Sequence, residues 1–447
     1  MKAFSKIYLF CLIILACDDE LDISPTLYIE TSIALSTDQG VKTALVGVYE
    51  ELSIFWSGQV QSISELLGSD SEQSYNGFSN GLKAIFTKEI LSDNKAVFDI
   101  WKQGFKTINA ANQVLSAIDV VEEQADQDRI TGEARFIRAA VYFELINLFA
   151  RSWQDGDPAV NPGLPWVNEP TSAIQASLFV ARNTVHEIYS MIIKDLTMAK
   201  ELLPETNGFR ASTYTASAIL SRVYLMQNKW ELVEEECTRI IDADRFMLIE
   251  DFGDVFNQSD NTSEDLFTII FTPQEDNQNA FIELYAARNR GGNQGQIAIP
   301  PSYLERYDSN DGRLELFYLD PFMIYRTGKW ITNSNSDGNV NIIRFAEVYL
   351  NRSEARYRLD NRPGAAGDLN VIRRRAHLPD IGDEALNLEL VRRERDLELN
   401  FEGHLLRDKK RFSTEIGGLP ANSDQLVLPI PEIELEVNPN LEQNPGY

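Results

Sequence analysis

The sequence is poor in cysteine and histidine, and this scarcity limits the chemistry that the chain can carry. Of three cysteines in 447 residues, Cys11 and Cys17 lie at the N-terminus. Cys237 is then left without a partner for a disulfide or a cysteine-ligated metal. The three histidines are far apart, none stands in a His-Glu-x-x-His frame, and there is no Gly-x-Ser-x-Gly elbow. The sequence therefore predicts a protein that is not an enzyme and uses no cofactor or metal.

Basic residues are also scarce relative to acidic ones. The chain has 41 Lys and Arg against 68 Asp and Glu, a formal net charge of −27. A surface of this sign repels the phosphates of DNA and RNA, which excludes nucleic acid as an expected partner. Hydrophobic residues make up 43% of the chain. That fraction is typical of a globular protein with a sizeable core.

The N-terminal apolar stretch is too short to cross a membrane. Residues 7–16 give about ten apolar positions, whereas a spanning helix needs roughly 20. Lys2 and Lys6 precede this stretch. A short apolar stretch behind a basic start is typical of a secretory signal peptide, which we assign to residues 1–16.

The signal peptide ends in a sequence that resembles a lipoprotein lipobox, Ile14-Leu15-Ala16-Cys17. This predicts cleavage after Ala16 and attachment of acyl chains, such as palmitate, at Cys17. Several acyl chains anchor a protein stably, where one alone binds weakly. The tract Asp18-Asp19-Glu20 resembles the acidic export tag of surface-displayed lipoproteins in some Gram-negative bacteria. We expect a lipid-anchored protein of the outer membrane, exposed at the cell surface.

Apolar residues recur at three- and four-residue spacing over most of the chain after Thr37, which predicts a mostly α-helical protein. Thr37 offers an N-cap for the first helix. Further helices are predicted over 98–115, 128–149, 184–203, 214–227, 230–241, 344–359 and 365–375.

The last four of these helices form two pairs that are similar to tetratricopeptide units. Residues 214–227 and 230–241 are separated by two residues only, and 344–359 turns into 365–375 through a segment with Pro363 and Gly364. Because neither pair can bury its apolar face alone, the pairs should stack into a curved helical scaffold.

Two regions interrupt the helical pattern. Residues 58–94 are rich in Ser, Gly, Asn and Asp, and residues 251–341 are long, polar and mixed, with short β-like runs at 266–271 and 322–326. Loops of this length inside a compact protein are usually functional or disordered. Their interspersed aromatic residues favour a function.

Six short motifs follow one another along the chain. They lie at 134–143, 163–167, 343–355, 368–376, 393–403 and 428–447, and they include ARFIRAAVYF, GLPWV, IRFAEVYL, DLN, FEG and the closing QNPGY. In this order they resemble the motifs of the SusD/RagB family, outer-membrane lipoproteins that bind nutrients together with TonB-dependent transporters.

The resemblance implies a mostly α fold with a tetratricopeptide-like scaffold and an irregular, loop-rich region carrying short β segments. After an acidic tether at 17–36, it implies an N-terminal helical region at 37–250 with a ligand loop at 58–94. An irregular ligand-binding region at 251–341 and a C-terminal helical region at 342–447 would follow.

The implied function is non-catalytic capture of an oligosaccharide and its delivery to a SusC-like TonB-dependent transporter for nutrient uptake. A receptor for peptides or protein fragments is the alternative within binding proteins, since some members of the family imply it. A surface hydrolase would need an acid pair or a nucleophile that the sequence does not display. A purely structural surface protein would lack the aromatic loops.

Candidate ligand residues come from the two interrupted regions, from which the resemblance implies that ligands are bound. Sugar rings pack a C–H face on aromatic planes, while their hydroxyls need Asp, Asn, Gln or Arg. The first predicted cluster is Trp56, Asp70, Tyr75, Asn76 and Phe78, and the second is Arg288, Asn289, Asn293 and Gln294, rimmed by Trp330.

Other conspicuous residues are expected to be structural. Trp101 falls on the apolar face of its helix, which favours core packing. Trp153 and Trp166 flank a segment rich in Pro and Gly and are also expected to pack. The arginine-rich run at 392–411 alternates with acids at spacings of three and four, so we expect ion pairs along a helix there rather than an anion site.

Overall fold

The computed structural model describes residues 31–171, 179–271, 279–293, 295–332 and 338–447. The predicted signal peptide, the lipid attachment site Cys17 and the acidic tract after it lie outside these residues, as does Gln294. Within the described ranges, no helix combines the length and the apolar character that crossing a bilayer requires.

Helices dominate the described part of the chain, as predicted. In the first half they are α1 (Thr31–Ala34), α2 (Asp38–Phe55), α3 (Gln59–Gly68), α4 (Asn80–Thr87), α5 (Lys95–Ser116), α6 (Gln124–Phe149), α7 (Val185–Leu202), α8 (Thr213–Met226) and α9 (Trp230–Asp242). In the second half they are α10 (Ala280–Tyr285), α11 (Pro301–Leu304), α12 (Phe345–Arg358), α13 (Arg362–Arg375), α14 (Leu388–Leu399), α15 (Leu405–Arg411) and α16 (Glu432–Val437).

Local sequence explains where the principal helices begin. Thr37 precedes α2 in an extended conformation, and its side chain accepts a hydrogen bond from the Gly40 backbone N–H. Thr184 and Glu187 form a reciprocal capping box at the start of α7. These caps satisfy backbone N–H groups that have no partner inside the helix.

The predicted helix pairs are present and stack. A turn in which Asn228 adopts a left-handed φ of 57° joins α8 to α9, and these two helices pack on each other. α12 packs against both α13 and α9. Along the first half, α5 packs on α6, α6 on α7 and α7 on α8. The pairs are thereby joined into one layered helical scaffold.

The core lies around α6, which is buried on all sides along most of its length. Phe136 and Phe143 on this helix are fully buried. Trp101 on α5 is 3% exposed and packs edge-on against Phe149, with 5.0 Å between ring centroids. Trp101 therefore belongs to the core, as predicted from its helical position.

Residues 58–94 are only in part the irregular loop that their composition predicts. About half of them belong to α3 and α4, and in α3 the residues Val60, Ile63 and Leu67 share one helical face and are buried. Ser79 caps α4 by accepting a hydrogen bond from the Leu82 N–H. Ser and Asn enrichment here marks helix starts rather than a disordered loop.

In the ranges that the structure describes, six short strands form three two-stranded antiparallel sheets. They are β1 (Ser74–Tyr75) with β3 (Ile297–Ala298), β2 (Asp265–Ile269) with β6 (Val340–Arg344), and β4 (Phe317–Leu319) with β5 (Tyr325–Thr327). β2 falls within the predicted run at 266–271 save for its first residue, whereas β5 is displaced from 322–326 toward the C-terminus. The predicted boundary between residues 341 and 342 falls inside β6, which pairs with β2.

Buried ion pairs tie the C-terminal helices to the rest of the molecule. The Arg344 guanidinium donates to Glu264 (Nη1–Oε1 2.7 Å), Glu398 (Nη1–Oε1 3.1 Å) and Glu402 (Nε–Oε2 2.8 Å). Arg375 also pairs with Glu264 and with Glu398. These carboxylates come from two separate stretches of the chain, one at Glu264 and one at Glu398 and Glu402.

The arginine-rich run confirms the expectation of ion pairs, but most of them do not run along one helix. Arg411 contacts Asp408 three residues away, and also reaches Glu354 on α12. Arg407 on α15 pairs with Glu144 on α6. The run therefore joins distant elements instead of only stabilising its own helices.

The C-terminal tail closes the structure against the N-terminal half. The Leu428 N–H donates to the Leu148 carbonyl at 2.8 Å, and the Asn444 side-chain amide donates to the Phe149 carbonyl at 2.9 Å. Leu428 and Ile430 are fully buried. The final residues therefore cover the end of the central helix α6.

Candidate functional site

Pairing of β1 with β3 brings the two predicted ligand regions together. Tyr75 lies opposite Ile297 in this sheet. The Asn76 N–H donates to the Gln296 carbonyl at 2.7 Å, and the Tyr75 hydroxyl donates to Gln296 Oε1 at 3.1 Å. We call the surface formed by residues 74–79, 288–293 and 295–296 the β1–β3 surface.

A tight crossing shapes this surface. The Tyr75 hydroxyl accepts a hydrogen bond from the Ser79 N–H at 3.2 Å, which closes the turn over residues 75–79. A Cβ atom at Gly77 would lie 2.3 Å from Gln296 Oε1 and 2.4 Å from the Tyr75 hydroxyl. A side chain at this position would have to displace Gln296 or Tyr75. The turn therefore holds Phe78 in a fixed place.

Phe78 is the aromatic side chain that this turn presents to solvent. It is 85% exposed. Asn76, Arg288, Asn289 and Asn293 are exposed as well. An open aromatic plane together with amide and guanidinium donors matches the chemistry that sugar recognition requires. All five of these predicted residues are accessible to solvent.

Tyr75 has a different role from the predicted one. Its side chain is only 7% exposed and its hydroxyl joins two backbone segments. Burial raises the pKa of this phenol above its usual value. Tyr75 therefore stabilises the surface from beneath and does not offer its ring for a sugar to stack on.

Trp56 and Trp330 were predicted to contact ligand, and the structure places both in the core. Trp56 is fully buried at the end of α2 and packs edge-on against Phe267, with ring centroids 5.8 Å apart. It follows Leu52 by one helical turn, so it continues the apolar face of α2. That spacing is the signal that could have identified it as a core residue.

The indole of Trp330 is 1% exposed and stacks on Phe281 at 4.3 Å with a 9° angle between the rings. Its Nε1 donates to the Phe401 carbonyl at 3.2 Å, so its polar atom is satisfied inside the protein. Trp330 cannot offer a face to a ligand.

Asp70 is exposed but lines another part of the molecule. It borders a cleft of about 580 Å³ that is also lined by residues of α14 and α15, including Asp396 and Lys409. Glu65 at this cleft is buried and accepts backbone hydrogen bonds from Gly403 and Leu405. Burial raises the pKa of Glu65 to about 8.

The sequence interpretation missed the turn between β4 and β5. Asp320 accepts hydrogen bonds from the N–H groups of Phe322 and Ile324, which holds this turn closed. Phe322 is 82% exposed and Met323 is 74% exposed at its tip. The signal in the sequence is the pair Asp320-Pro321 directly before Phe322. Such a pair is typical of a turn and not of a strand.

Arg290 is a second residue that sequence reasoning left out. Its guanidinium lies over the ring of Tyr318, 4.2 Å from the ring centroid. The Tyr318 hydroxyl in turn accepts a hydrogen bond from the Ala287 N–H at 2.9 Å. This stacking orders the side of the β1–β3 surface that carries Arg288 and Asn289.

Within the described ranges, no group of three or more His, Cys, Asp or Glu side chains is arranged to hold a metal ion. The chemistry that the β1–β3 surface offers is thus hydrogen bonding and aromatic packing. Both suit reversible binding of a polar, ring-containing ligand.

Comparisons with known proteins agree in the family that they indicate. Residues 21–225 match a family model described as starch-binding and associating with the outer membrane, and residues 292–425 match the SusD family model. The chain is similar to SusD-like protein P2 of Formosa agariphila, with 26% identity over 100% of both chains. SusD-like protein P25 of the same organism is 23% identical over 97% of both chains.

Known three-dimensional structures show the same fold. A SusD superfamily protein from Bacteroides thetaiotaomicron superposes with a TM-score of 0.82 at 22% identity, over 92% of this chain and 100% of the other. A putative sugar binding protein from Bacteroides vulgatus superposes with a TM-score of 0.81 at 24% identity, over 92% of this chain and 99% of the other.

Proposed function

Because the chain belongs to the SusD/RagB family, we propose that it captures oligosaccharides at the outer membrane without catalysis and delivers them to a SusC-like TonB-dependent transporter. The β1–β3 surface is the proposed binding site. The oligosaccharide would lie across Phe78, with its hydroxyls bonded to Asn76, Asn289, Asn293 and Arg288.

The observation that carries this proposal is the exposure of Phe78 on a rigid turn. Exposure of an aromatic ring to water is unfavourable. The free energy becomes more favourable when the C–H face of a sugar covers the ring. The hydrogen bonds around Tyr75 and Gln296 hold the turn before any ligand arrives. A site that is already ordered loses less conformational entropy on binding.

A further feature of the family supports the proposed site of action. The family model that covers the first half of the chain describes association with the outer membrane. We propose that the acyl chains on Cys17 hold the protein there and that the acidic tract at 18–20 directs it to the cell surface. The transporter would then receive the ligand from a protein tethered beside it.

Glycan binding can be tested with the Phe78→Ala variant. Loss of one stacking platform should weaken binding of a recognised oligosaccharide by about 1–2 kcal/mol, roughly tenfold in affinity. The unfolding midpoint should stay unchanged, because an exposed side chain contributes little to the core. Phe209→Ala is the matched control, since Phe209 is 57% exposed but lies between α7 and α8.

Ligand class is best tested by screening glycan arrays and peptide pools with the two variants side by side. The proposal expects glycan hits that Phe78→Ala reduces and Phe209→Ala does not. Peptide hits that depend on Phe78 would instead show a peptide receptor. A product released after long incubation with a glycan would show a hydrolase.

Anchoring can be tested separately with Cys17→Ala. Since the thiol is the acceptor of the lipid, this variant should be released or remain uncleaved. Wild-type amounts of the variant in the outer membrane would disprove the lipid anchor. A triple change of Asp18, Asp19 and Glu20 to Ala should preserve acylation and reduce digestion by added protease at the cell surface.

A further inference from the structure

A second cleft, of about 500 Å³, lies on the helical scaffold, apart from the β1–β3 surface. Its walls come from α5, α6 and α7 and from the segment around Trp166. None of the residues that line it belongs to the β1–β3 surface.

Trp166 forms an aromatic wall with one covered side. Its ring stacks on Tyr142, 4.3 Å between centroids at an angle of 27°, and the Arg138 guanidinium lies 5.4 Å from its centroid. Arg138 and Tyr142 are one turn apart on α6. Trp166 lines the cleft together with Arg138, and the Trp166 side chain is partly exposed.

Backbone hydrogen bonds fix this wall in place. The Trp166 N–H donates to Asn183 Oδ1 at 3.1 Å, and the Val167 N–H donates to the Tyr142 hydroxyl at 2.7 Å. The Asn112 side-chain amide donates to the Val167 carbonyl at 2.9 Å. Trp166 is therefore a rigid platform, which favours binding because little ordering is needed.

The charge of the cleft is opposite to that of the whole chain. Arg135, Arg138 and Lys194 line it against two acids, Glu169 and Asp195. Asp195 already accepts hydrogen bonds from both arginines, at 2.6 Å from Arg135 and 2.7 Å from Arg138. In a chain with a net charge of −27, a cleft with an excess of basic groups selects for an anion.

Three side chains at the cleft carry donors for such an anion. Arg135 lines the cleft with 24% of its side chain exposed. Lys194 is exposed at the rim, and Asn168 is exposed beside the aromatic wall. A charged donor without a partner gains free energy when an anionic group binds it.

We propose that this cleft is an accessory binding site for an acidic sugar residue, one that carries a uronic acid carboxylate or a sulfate ester. The sugar ring would pack on the exposed part of Trp166, and its anionic group would contact Lys194 and the exposed part of the Arg135 side chain. This inference rests on the proposed function, because it assigns an acidic glycan as the ligand class. The accessory site would hold a long chain at a second point and slow its release.

The experiment measures binding by titration calorimetry to the mature protein carrying Phe78→Ala, which removes the platform of the β1–β3 surface. Three probes are compared: a galacturonic acid tetrasaccharide, a sulfated galactose tetrasaccharide and its desulfated form. We expect the acidic probes to bind and Lys194→Glu to weaken them roughly tenfold, the effect of losing one charge-assisted contact. Lys102→Glu, at an exposed lysine on α5, is the matched control and should change nothing.

A second readout separates a local effect from a general charge effect. Acidic probes should quench tryptophan fluorescence, and Trp166→Phe should remove this quenching while keeping a ring over Tyr142. Binding of the sulfated probe alone identifies a sulfate site, and binding of the uronate alone identifies a carboxylate site.

Absence of binding by both acidic probes, or equal binding by the Lys194→Glu and Lys102→Glu variants, overturns the accessory site. The proposed function fails independently, when Phe78→Ala in an otherwise unchanged chain binds a recognised glycan as tightly as the parent protein.

Discussion

Removal of Arg344 tests whether the buried ion cluster holds the C-terminal helices in place. The side chain is 1% exposed and its guanidinium bonds three carboxylates, Glu264, Glu398 and Glu402. Arg344→Leu keeps an apolar stem of similar length but leaves these carboxylates with less compensating charge. Breaking a buried ion pair from one side typically destabilises a protein by about 3–5 kcal/mol, because the remaining charge stays away from water.

The size of the thermal shift follows from the length of the chain. Unfolding entropy near 60 °C is about 2.1 cal/mol/K per residue, so 447 residues give about 0.9 kcal/mol/K. A loss of about 3–5 kcal/mol then lowers the Tm by about 3–5 °C. Differential scanning calorimetry and urea unfolding should agree on this loss of stability.

Arg374→Leu is the control, because the ion pair that Arg374 forms is exposed rather than buried. Arg374 contacts both oxygens of Asp380, at 2.9 and 2.8 Å, with its side chain 61% exposed. Such exposed pairs contribute about 0–1 kcal/mol. Equal destabilisation by Arg344→Leu and Arg374→Leu would refute the reasoning, since burial would then make no difference.

The pH dependence provides an independent check. Burial alone would raise the pKa of Glu398, but Arg375, Arg344, Arg313 and Lys329 outweigh it and hold this pKa at about 2. A carboxyl whose pKa is lower in the folded state contributes stability above its unfolded pKa, near 4.3, and this contribution disappears as the pH falls toward 2. Arg344→Leu should reduce that acid-dependent loss, measured as the urea midpoint between pH 5 and pH 3.

Other buried groups give further expectations. Trp56→Ala and Trp330→Ala should each lower the free energy of unfolding by about 3–5 kcal/mol in urea titrations, since both indoles fill the core. We expect the free energy of unfolding of the parent protein to fall between pH 5 and pH 8, and Glu65→Gln should abolish this decline. The raised pKa of Glu65, about 8, favours the protonated form in the folded state, and its stabilisation is lost as the pH rises toward 8. Cys237 should stay unreactive toward a thiol reagent until the protein unfolds, because the side chain is fully buried and burial raises its pKa.

Helical spacing and caps were sufficient to predict most of the scaffold. The predicted helix at 184–203 corresponds to α7 (Val185–Leu202), and the predicted pair at 214–227 and 230–241 corresponds to α8 and α9. These elements are specified locally, by apolar residues one turn apart and by capping side chains. Such signals can be read from a single sequence.

Composition was a poorer guide in the segment 58–94. A polar loop and a short amphipathic helix contain similar numbers of Ser and Asn, and the difference lies in the spacing of a few apolar residues. The same error placed Trp56 on a ligand surface, although it stands four residues after Leu52 on the buried face of α2.

Contacts between distant segments of the chain could not be predicted from the sequence. Nothing local indicates that Tyr75 lies opposite Ile297, or that Arg407 contacts Glu144. These contacts depend on how whole elements pack, and the charges that make them are common along the chain. Phe78 could be proposed as a ligand residue from its loop context, but its exposure required the fold.

The C-terminal tail has a consequence for the order in which the chain can mature. α6 (Gln124–Phe149) leaves any synthesis or export machinery long before the tail. The Leu148 carbonyl accepts a hydrogen bond from Leu428, and the Phe149 carbonyl accepts one from Asn444 as well as one from Arg182. Until residues 428–444 emerge, the end of α6 lacks these two contacts, and Leu428 and Ile430 cannot take their buried places. We therefore expect the molecule to reach its full resistance to proteases only after this segment has packed against α6.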